Sequence, residues 1–255
     1  ELNSALQQLA ETFREHTDEI KAHTRRWHDE IEALRSRWPD TGEFVLERGI
    51  NPNAFMHELS KAMTGAGAFI TDVGQHQMWS AQSLEFHAHQ RFLTSGGMGS
   101  MGFALPAAIG AAVSLEGQPV VMVAGDGGFQ CNIQELETVA HLGLPVKMVI
   151  INNECHGMVR QFQESYFHGR YQSTMWGYSA PDFKRVADAY GIEAQTISES
   201  HDMESALKWL SSNETAPGLL QVMIDPMANA YPKLAFGRGM SSMEPHEQPL
   251  EMEGT

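Results

Sequence analysis

Cysteine is scarce in this chain: Cys131 and Cys155 are the only two among its 255 residues. Two cysteines cannot build the disulfide framework that holds many small secreted domains together. The amino end, ELNSALQQLAETFREH, is polar and acidic, unlike a secretory signal. We therefore expect a protein of a reducing compartment, with the cytoplasm as the default.

Positive charge and long apolar runs are scarce as well. The chain has 17 lysines and arginines against 32 aspartates and glutamates, a formal net charge of -15. Such a surface repels nucleic acids and anionic membranes, and no apolar run reaches the roughly 20 residues of a membrane-spanning helix. We expect neither kind of partner. A small phosphorylated ligand is not excluded, because backbone amides and a metal ion can build its site.

The amino-terminal segment, residues 2–38, has the apolar spacing of a helix. Its apolar side chains recur mostly three, four or seven positions apart, and they are Leu2, Leu6, Leu9, Phe13, Ile20, Trp27, Ile31, Leu34 and Trp38. Pro39 ends the pattern. We predict one long helix or a bent pair, followed by a linker, so that residues 1–50 form an extension of the main domain.

A compact domain is predicted over residues 51–227, beginning at Asn51 and Pro52 as N-cap and first helical residue. The predicted strands are AFITDV (68–73), HQRFLTS (89–95), PVVMVAG (119–125), PVKMVIIN (145–152), EAQTIS (193–198) and GLLQVMID (218–225). Helical patterns lie near 74–83, 100–114, 132–142, 157–166, 181–190 and 201–212. Unbroken apolar strands alternating with helices predict an α/β fold, a doubly wound parallel sheet with helices on both faces. Residues 228–255 are predicted to form an irregular arm.

Polar residues follow two of these strands. Asp126 lies between two glycines after the strand 119–125, and Asn153 follows the strand 145–152. Because ligands bind beyond the carboxyl ends of parallel strands, we expect both side chains at one site. Carboxylate, amide, carbonyl and phosphate oxygens are ligands that suit Mg²⁺. The two residues therefore predict a metal site, although each dipeptide alone is more often a turn.

The glycines beside Asp126 predict what the metal would bind. Gly127 and Gly128 leave room for a diphosphate to approach the backbone closely. The amides of a helix predicted to begin at Asn132 would lie next to it. We interpret the two strand ends as a clamp for a metal ion and a diphosphate.

The motif GDG at 125–127, followed after 24 residues by NN at 152–153, resembles the signature of the thiamin-diphosphate (ThDP) enzymes. Further stretches are similar to acetohydroxyacid synthase, the large catalytic subunit that condenses 2-keto acids. They are TDVGQHQMWSAQ (71–82), TSGGMGSMGFALPAAIGAA (94–112), NNECHGMVRQFQESYFHGRY (152–171), PDFKRVADAYGI (181–192) and YPKLAFGRGMSSMEP (231–245). The resemblance covers about residues 50–245. It implies an enzyme that decarboxylates a 2-keto acid such as pyruvate and ligates the two-carbon unit to a second keto acid.

The resemblance also implies which residues bind the cofactors, ThDP and Mg²⁺. The metal would be held by the side chains of Asp126 and Asn153 and by the backbone oxygen of Cys155. The diphosphate would be held by Gln75, by His76 and by backbone amides of Gly127, Gly128, His156 and Gly157. A buried structural cysteine explains Cys155 equally well.

The stretch GGMGSMG (96–102) would hold the rest of ThDP. Gly99 would offer its carbonyl to the aminopyrimidine and Met101 would wedge between the two rings, and these are the catalytic residues that the resemblance implies. Met98 and Met158 would line the thiazolium pocket. Core packing is the ordinary role of such a methionine and is compatible with the wedge. A nicotinamide site is the weaker reading of this glycine pattern.

Three further residues bear on specificity and on metal binding. Phe162, in MVRQFQ, stands where many synthases carry tryptophan. The resemblance places that position at the acceptor pocket, so the acceptor stays open. His87 and His89 lie two apart on a polar stretch, and we expect them to face solvent rather than bind a metal.

The catalytic glutamate of the family lies on a separate pyrimidine-binding domain, and no second α/β domain is predicted here. We interpret the chain as the diphosphate-binding half of an active site. It is either a fragment of a longer enzyme or one subunit of a split enzyme, and the length and charge of residues 2–38 favour the second. A second polypeptide would then complete an oligomer. Flavin adenine dinucleotide (FAD), structural in the family, belongs mostly to its middle domain and is not carried over.

Two other functions stay open. The same scaffold supports simple decarboxylation of a 2-keto acid, or acyl transfer in a specialised pathway. The third hypothesis is a non-catalytic subunit that keeps the fold, and the presence of Asp126, Asn153 and Met101 argues against it.

Overall fold

The computed structural model describes residues 2–43 and 49–252. The chain divides into two units, residues 1–42 and 43–255. Part of the predicted linker, residues 44–48, and the last three residues lie outside the described ranges. No helix in the described part of the chain is long and apolar enough to cross a membrane.

The first unit consists of two helices, α1 (Leu2–Glu15) and α2 (Thr17–Arg37), and a short 3₁₀ turn. The sequence predicted one long helix or a bent pair, and the structure shows two helices with the break at His16. The hydroxyl of Thr17 donates to the carbonyl oxygens of Phe13 and Arg14, at 3.1 and 2.8 Å. Such side-chain bonds to the preceding turn bend helices, which accounts for the position of the break.

The second unit is built on six strands, β1 (Ala68–Thr71), β2 (Arg91–Thr94), β3 (Val120–Gly125), β4 (Val146–Asn152), β5 (Ala194–Ile197) and β6 (Gly218–Met223). Its helices are α3 (Pro52–Ala62), α4 (Gln75–Ser83), α5 (Ala104–Ser114), α6 (Asp126–Gln130), α7 (Leu136–Leu142), α8 (Gly157–Tyr166), α9 (Phe183–Ala189) and α10 (Met203–Ser212). Helix α3 is capped as expected, because the side chain of Asn51 accepts from the amide of Ala54 at 3.0 Å.

All neighbouring strands of the sheet run parallel, in the order β2-β1-β3-β4-β6-β5. Both faces of the sheet are buried. On β3, Val121 and Val123 belong to one apolar cluster, and Val120 and Met122 belong to the other. The predicted doubly wound α/β fold is thus confirmed, and its unbroken apolar strands follow from the double burial.

The strand order places a crevice above β1 and β3. From β1 the chain moves outward to β2 and returns to the other side of β1 as β3. The loops that follow β1 and β3 therefore lead in opposite directions. In open parallel sheets this switch point is where ligands bind.

Two details differ from the sequence-based expectation. An additional short helix, α6, follows GDG directly from Asp126, because Gly125 is extended and the helical turn follows it at once. The helix predicted over 132–142 occurs as a 3₁₀ turn, Ile133–Glu135, followed by α7, and the side-chain amide of Asn132 donates to the carbonyl of Gly102 at 2.6 Å. The arm after residue 228 is largely irregular but contains a short antiparallel pair, β7 (Lys233–Leu234) and β8 (Met243–Glu244).

Candidate active site

A cleft opens at the switch point. Its lining comes from the segments that follow β1, β3 and β4, together with Trp79 and Met101. The lining residues from those three segments are Val73, Gly74, Gln75, His76, Gly125, Asp126, Gly127, Gly128, Ile151, Asn153, Cys155, His156, Gly157, Met158 and Val159. All the residues that the sequence assigned to the metal and the diphosphate are thereby brought together.

His76, in the first turn of α4, lies with its imidazole between two glycines. A Cβ on Gly125 would come within 2.8 Å of its Nδ1 atom, and a Cβ on Gly74 within 2.8 Å of its Cε1 atom. Burial lowers the pKa of His76 to about 3, against a smaller opposing effect of a hydrogen bond to the Asp72 backbone. The ring is therefore neutral, and its buried Nε2 atom has no hydrogen-bond partner. A buried nitrogen of this kind requires a partner. An ionised phosphate oxygen accepts, so it would pair with Nε2 in the tautomer that carries the ring proton there.

Gln75 and Asn153 contact each other beneath the start of α8. The Asn153 amide donates to Oε1 of Gln75 at 3.2 Å, and Gln75 donates to Oε1 of Gln161 at 2.9 Å and to the carbonyl of Ala228 at 2.8 Å. A Cβ on Gly157 would overlap both Gln75 and Asn153. Only glycine at the first position of α8 therefore allows these two amides to lie at the floor of the cleft.

Asp126 is buried at the carboxyl end of β3. Its burial raises its pKa to about 6, while a hydrogen bond from Tyr178 acts in the opposite direction. The phenol of Tyr178 donates to Oδ2 of Asp126 at 2.9 Å. The carboxylate is therefore mostly ionised above pH 7 and available to a cation.

The donor set around Asp126 fits a hard cation that also binds a ligand. Within residues 2–43 and 49–252, no three His, Cys, Asp or Glu side chains are grouped so as to hold a metal. Burial raises the pKa of Cys155 to about 11, and its thiol donates to the carbonyl of Pro226 at 3.5 Å. Cys155 is thus a buried thiol that can offer only its backbone oxygen. One carboxylate, amide and carbonyl oxygens, and phosphate oxygens form a set that suits Mg²⁺.

Asp72 was not selected from the sequence, and it holds the glycine-rich loop, residues 96–102. Its carboxylate accepts from the amide of Gly102, at 3.0 and 3.1 Å from its two oxygens, and from the amide of Ala104 at 3.2 Å. Gly102 has a left-handed φ of +84°. These bonds fix the residue directly after Met101, which lines the cleft. An acid at the end of a buried strand was the signal that could have identified Asp72.

Other predicted residues lie farther from the cleft. Gly99 adopts a φ of +64°, and a Cβ there would lie 4.0 Å from Cγ1 of Val73, but Gly99 is not part of the lining. Met98 is 89% exposed and also lies outside the lining, unlike Met158. Phe162 is half-exposed and stacks on Tyr166, with ring centroids 4.4 Å apart.

His87 and His89 are exposed, as the sequence predicted. Their rings stack on each other with centroids 5.9 Å apart. Nε2 of His89 lies 3.2 Å from the carbonyl oxygen of Thr64, within hydrogen-bond distance. The histidine pair lies outside the cleft lining.

Arg160 is a second residue that the sequence reading missed. It is fully buried on α8, where its guanidinium pairs with Glu164 at 2.9 Å. It also donates to the carbonyl of Ala228 at 3.0 Å and to the side chain of Asn229. Arg160 thereby anchors the helix that begins at the cleft to the segment after β6.

Residues 72–222 match the family described as "Thiamine pyrophosphate enzyme, C-terminal TPP binding domain". The chain is 43% identical over 194 residues to an acetolactate synthase large subunit of Pyropia yezoensis, an alignment of 76% of this chain and 32% of the relative. It is 44% identical over 173 residues to the acetolactate synthase isozyme 2 large subunit of Escherichia coli (strain K12), covering 68% and 31%. The chain thus spans about a third of the length of these relatives.

A solved structure shares the fold. The thiamine diphosphate-dependent 4-hydroxybenzoylformate decarboxylase of Rhodococcus jostii RHA1 superposes with a TM-score of 0.60 at 24% identity. The superposition covers 71% of this chain and 34% of the decarboxylase. At this identity the likeness concerns the fold alone.

Proposed function

We propose a function for this chain, which belongs to the thiamine pyrophosphate enzymes and contains their C-terminal TPP-binding domain. It is the diphosphate-binding half of a ThDP- and Mg²⁺-dependent, acetolactate synthase-like enzyme. The observation that carries the proposal is the environment of His76. Its Nε2 atom is buried without a partner, beside a turn in which glycines keep side chains out. A diphosphate would occupy that space and supply the acceptor for a proton carried on Nε2.

The residues of the cleft divide into two groups around the diphosphate. Gln75, His76 and backbone amides would hold its oxygens, and the amide groups would come from Gly127, Gly128, His156 and Gly157. Asp126, Asn153 and the carbonyl of Cys155 would hold Mg²⁺. All of these residues line the one cleft.

ThDP, when bound, supplies a carbon nucleophile that attacks the keto group of a 2-keto acid and stabilises the negative charge left by loss of carbon dioxide. The chain's own contribution is to orient the cofactor and exclude water. Met101 and Met158 give the cleft an apolar wall, which favours ligation to a second keto acid over protonation. Gly99 and Met98, both outside the lining, would approach the cofactor's rings on the same glycine-rich loop.

The active site is proposed to need a further segment or a second chain. None of the described residues that line the cleft is a glutamate. The relatives are about three times as long as the aligned part. The exposed apolar side chains of α1 and α2, such as Leu2 and Trp27, support a partner surface. We propose a split subunit that forms a hetero-oligomer with a partner carrying the pyrimidine-binding domain. We also propose a reducing compartment, in which Cys131 and Cys155 stay free thiols. We propose no FAD site on this chain.

The experiment is product analysis on protein purified, untagged, from its own source and checked by native mass spectrometry. Pyruvate, ThDP and Mg²⁺ are supplied, and the matched sample carries Asp126→Ala. Acetolactate that disappears in the variant supports the carboligase. Acetaldehyde in its place supports the decarboxylase. If neither product forms and ThDP does not bind in a Mg²⁺-dependent way, the chain is a non-catalytic subunit.

A further inference from the structure

Tyr178 contacts Asp126, the candidate metal ligand. It lies on a loop that follows neither β1 nor β3 directly. Its phenol oxygen lies 2.9 Å from Oδ2 of Asp126 and would lie 3.4 Å from a Cβ on Gly127. The ring also packs edge-on against His156, with centroids 4.6 Å apart. Tyr178 therefore lies between the GDG turn and the start of α8, beside both halves of the proposed clamp.

The segment that carries Tyr178, residues 167–182, is tied to α8 independently of the tyrosine. The carbonyl of Thr174 accepts from the amide of His156 at 3.0 Å, and the hydroxyl of Thr174 donates to Gln163 at 2.6 Å. The amide of Tyr178 donates to the carbonyl of Met175 at 3.2 Å. The phenol is thus held in place by its own loop, which is a requirement for orienting another group.

The hydrogen bond has a fixed direction. An ionised carboxylate oxygen has no proton to give, so the phenol O–H is the donor over the 2.9 Å to Oδ2. One oxygen of Asp126, Oδ2, is engaged by this donor, and ligation of a cation falls to the other oxygen. The side-chain amide of Gln130 also donates to the phenol oxygen, at 3.5 Å. Residues that orient a metal ligand in this way commonly change metal affinity by about 10- to 100-fold when mutated.

We infer that Tyr178 is a positioning residue for magnesium binding, which fixes the carboxylate of Asp126 by a hydrogen bond from its phenol. The inference rests on the proposed function, because it assumes that Asp126 ligates the cation. It goes further than that function in assigning a role to a residue outside the strand ends and the glycine-rich loop.

The test titrates Mg²⁺ into the 255-residue chain at a saturating ThDP concentration and follows tryptophan fluorescence, for which Trp79 in the cleft lining is a reporter. Tyr178→Phe removes only the hydroxyl. The Mg²⁺ concentration at half-saturation should rise about 10-fold or more. The affinity for ThDP at saturating Mg²⁺ should stay within twofold of the parent chain, since the diphosphate contacts are unchanged. General damage to the site would instead weaken both affinities.

Two control variants complete the design. Tyr190→Phe makes the same change at the end of α9, outside the cleft lining, and should match the parent chain. Asp126→Ala should abolish the Mg²⁺ dependence. If the parent binds with Mg²⁺, Asp126→Ala does not, and Tyr178→Phe matches the parent, then the inference about Tyr178 is overturned and the proposed function stands. If the parent itself shows no Mg²⁺-dependent binding, both are overturned.

Discussion

His76 occupies the space in which a side chain on Gly125 would begin, since a Cβ there would lie 2.8 Å from Nδ1 of the imidazole. The end of β3 and the start of α4 are therefore fitted to each other. The same close fit recurs at Gly157, where a Cβ would overlap the amides of Gln75 and Asn153. Glycine at these points is a condition for the cleft.

Gly125→Ala should displace His76 and abolish Mg²⁺-dependent ThDP binding. The φ of Gly125 is −85°, which alanine tolerates, so the effect would be steric. Overpacking of this kind costs about 1–3 kcal/mol in the free energy of unfolding. Urea unfolding and calorimetric titration with ThDP measure the two effects. The matched control is Gly110→Ala on α5, where a Cβ meets nothing within 4 Å. Unchanged ThDP affinity in Gly125→Ala would contradict the assigned fit.

The buried imidazole predicts a loss of stability in acid. The pKa of His76 is lowered from 6.5 to about 3 in the fold, so the unfolded chain binds the extra proton between these values. The contribution to stability is complete above pH 6.5 and declines as the pH falls toward 3. Urea unfolding without ThDP, at pH 7.5, 5.5 and 4.5, should show a shallower decline for His76→Gln than for the parent chain. Parallel declines would mean that the imidazole is protonated in the fold.

Replacing the buried carboxylate of Asp126 should raise the stability of the fold and remove Mg²⁺-dependent binding. Its pKa is raised from 3.8 to about 6, so its contribution to stability is complete below pH 3.8 and declines as the pH rises through 6. In EDTA at pH 7.5, the free energy of unfolding of Asp126→Asn should therefore exceed that of the parent chain by up to about 3 kcal/mol, measured as a higher urea midpoint. The gain should shrink toward pH 4, and Mg²⁺-dependent binding should be lost. A less stable variant at pH 7.5 would contradict this account of the carboxylate.

Asp72→Ala should loosen the glycine-rich loop. The carboxylate accepts from the amides of Gly102 and Ala104, and hydrogen bonds to a charged group contribute about 1.5–3 kcal/mol each. Hydrogen exchange should accelerate at these two amides, and the free energy of unfolding should fall. The control Asp188→Ala removes a partly exposed ion pair with Lys184 and should change stability by less than about 1 kcal/mol. Equal protection of the loop in both variants would show that Asp72 does not hold it.

The sheet was predictable from the sequence because its strands are apolar without interruption and are separated by helical patterns. Every predicted strand occurs, with each end within two residues of the prediction. The strand ends then place Asp126 and Asn153 at the cleft, because parallel strands bring their carboxyl ends to one edge.

The contacts that support the cleft were not predictable in the same way. Tyr178 lies 52 residues from Asp126, in a segment without regular periodicity, and Arg160 is a charged residue that the helix pattern alone places at the surface. The short helix α6 was not predicted either, since the glycines that resemble a turn belong to the helix itself. Such contacts depend on loop conformation, and hydrophobic periodicity carries no information about it.

The most direct test of the proposed function compares ThDP with unphosphorylated thiamin by calorimetric titration of the 255-residue chain, in Mg²⁺ and in EDTA. Thiamin keeps both rings and lacks only the diphosphate. Binding of ThDP in Mg²⁺, with no binding of thiamin and none of either ligand in EDTA, is the result that a metal–diphosphate clamp predicts. Equal affinity for the two ligands, or binding of ThDP that EDTA leaves unchanged, would contradict it.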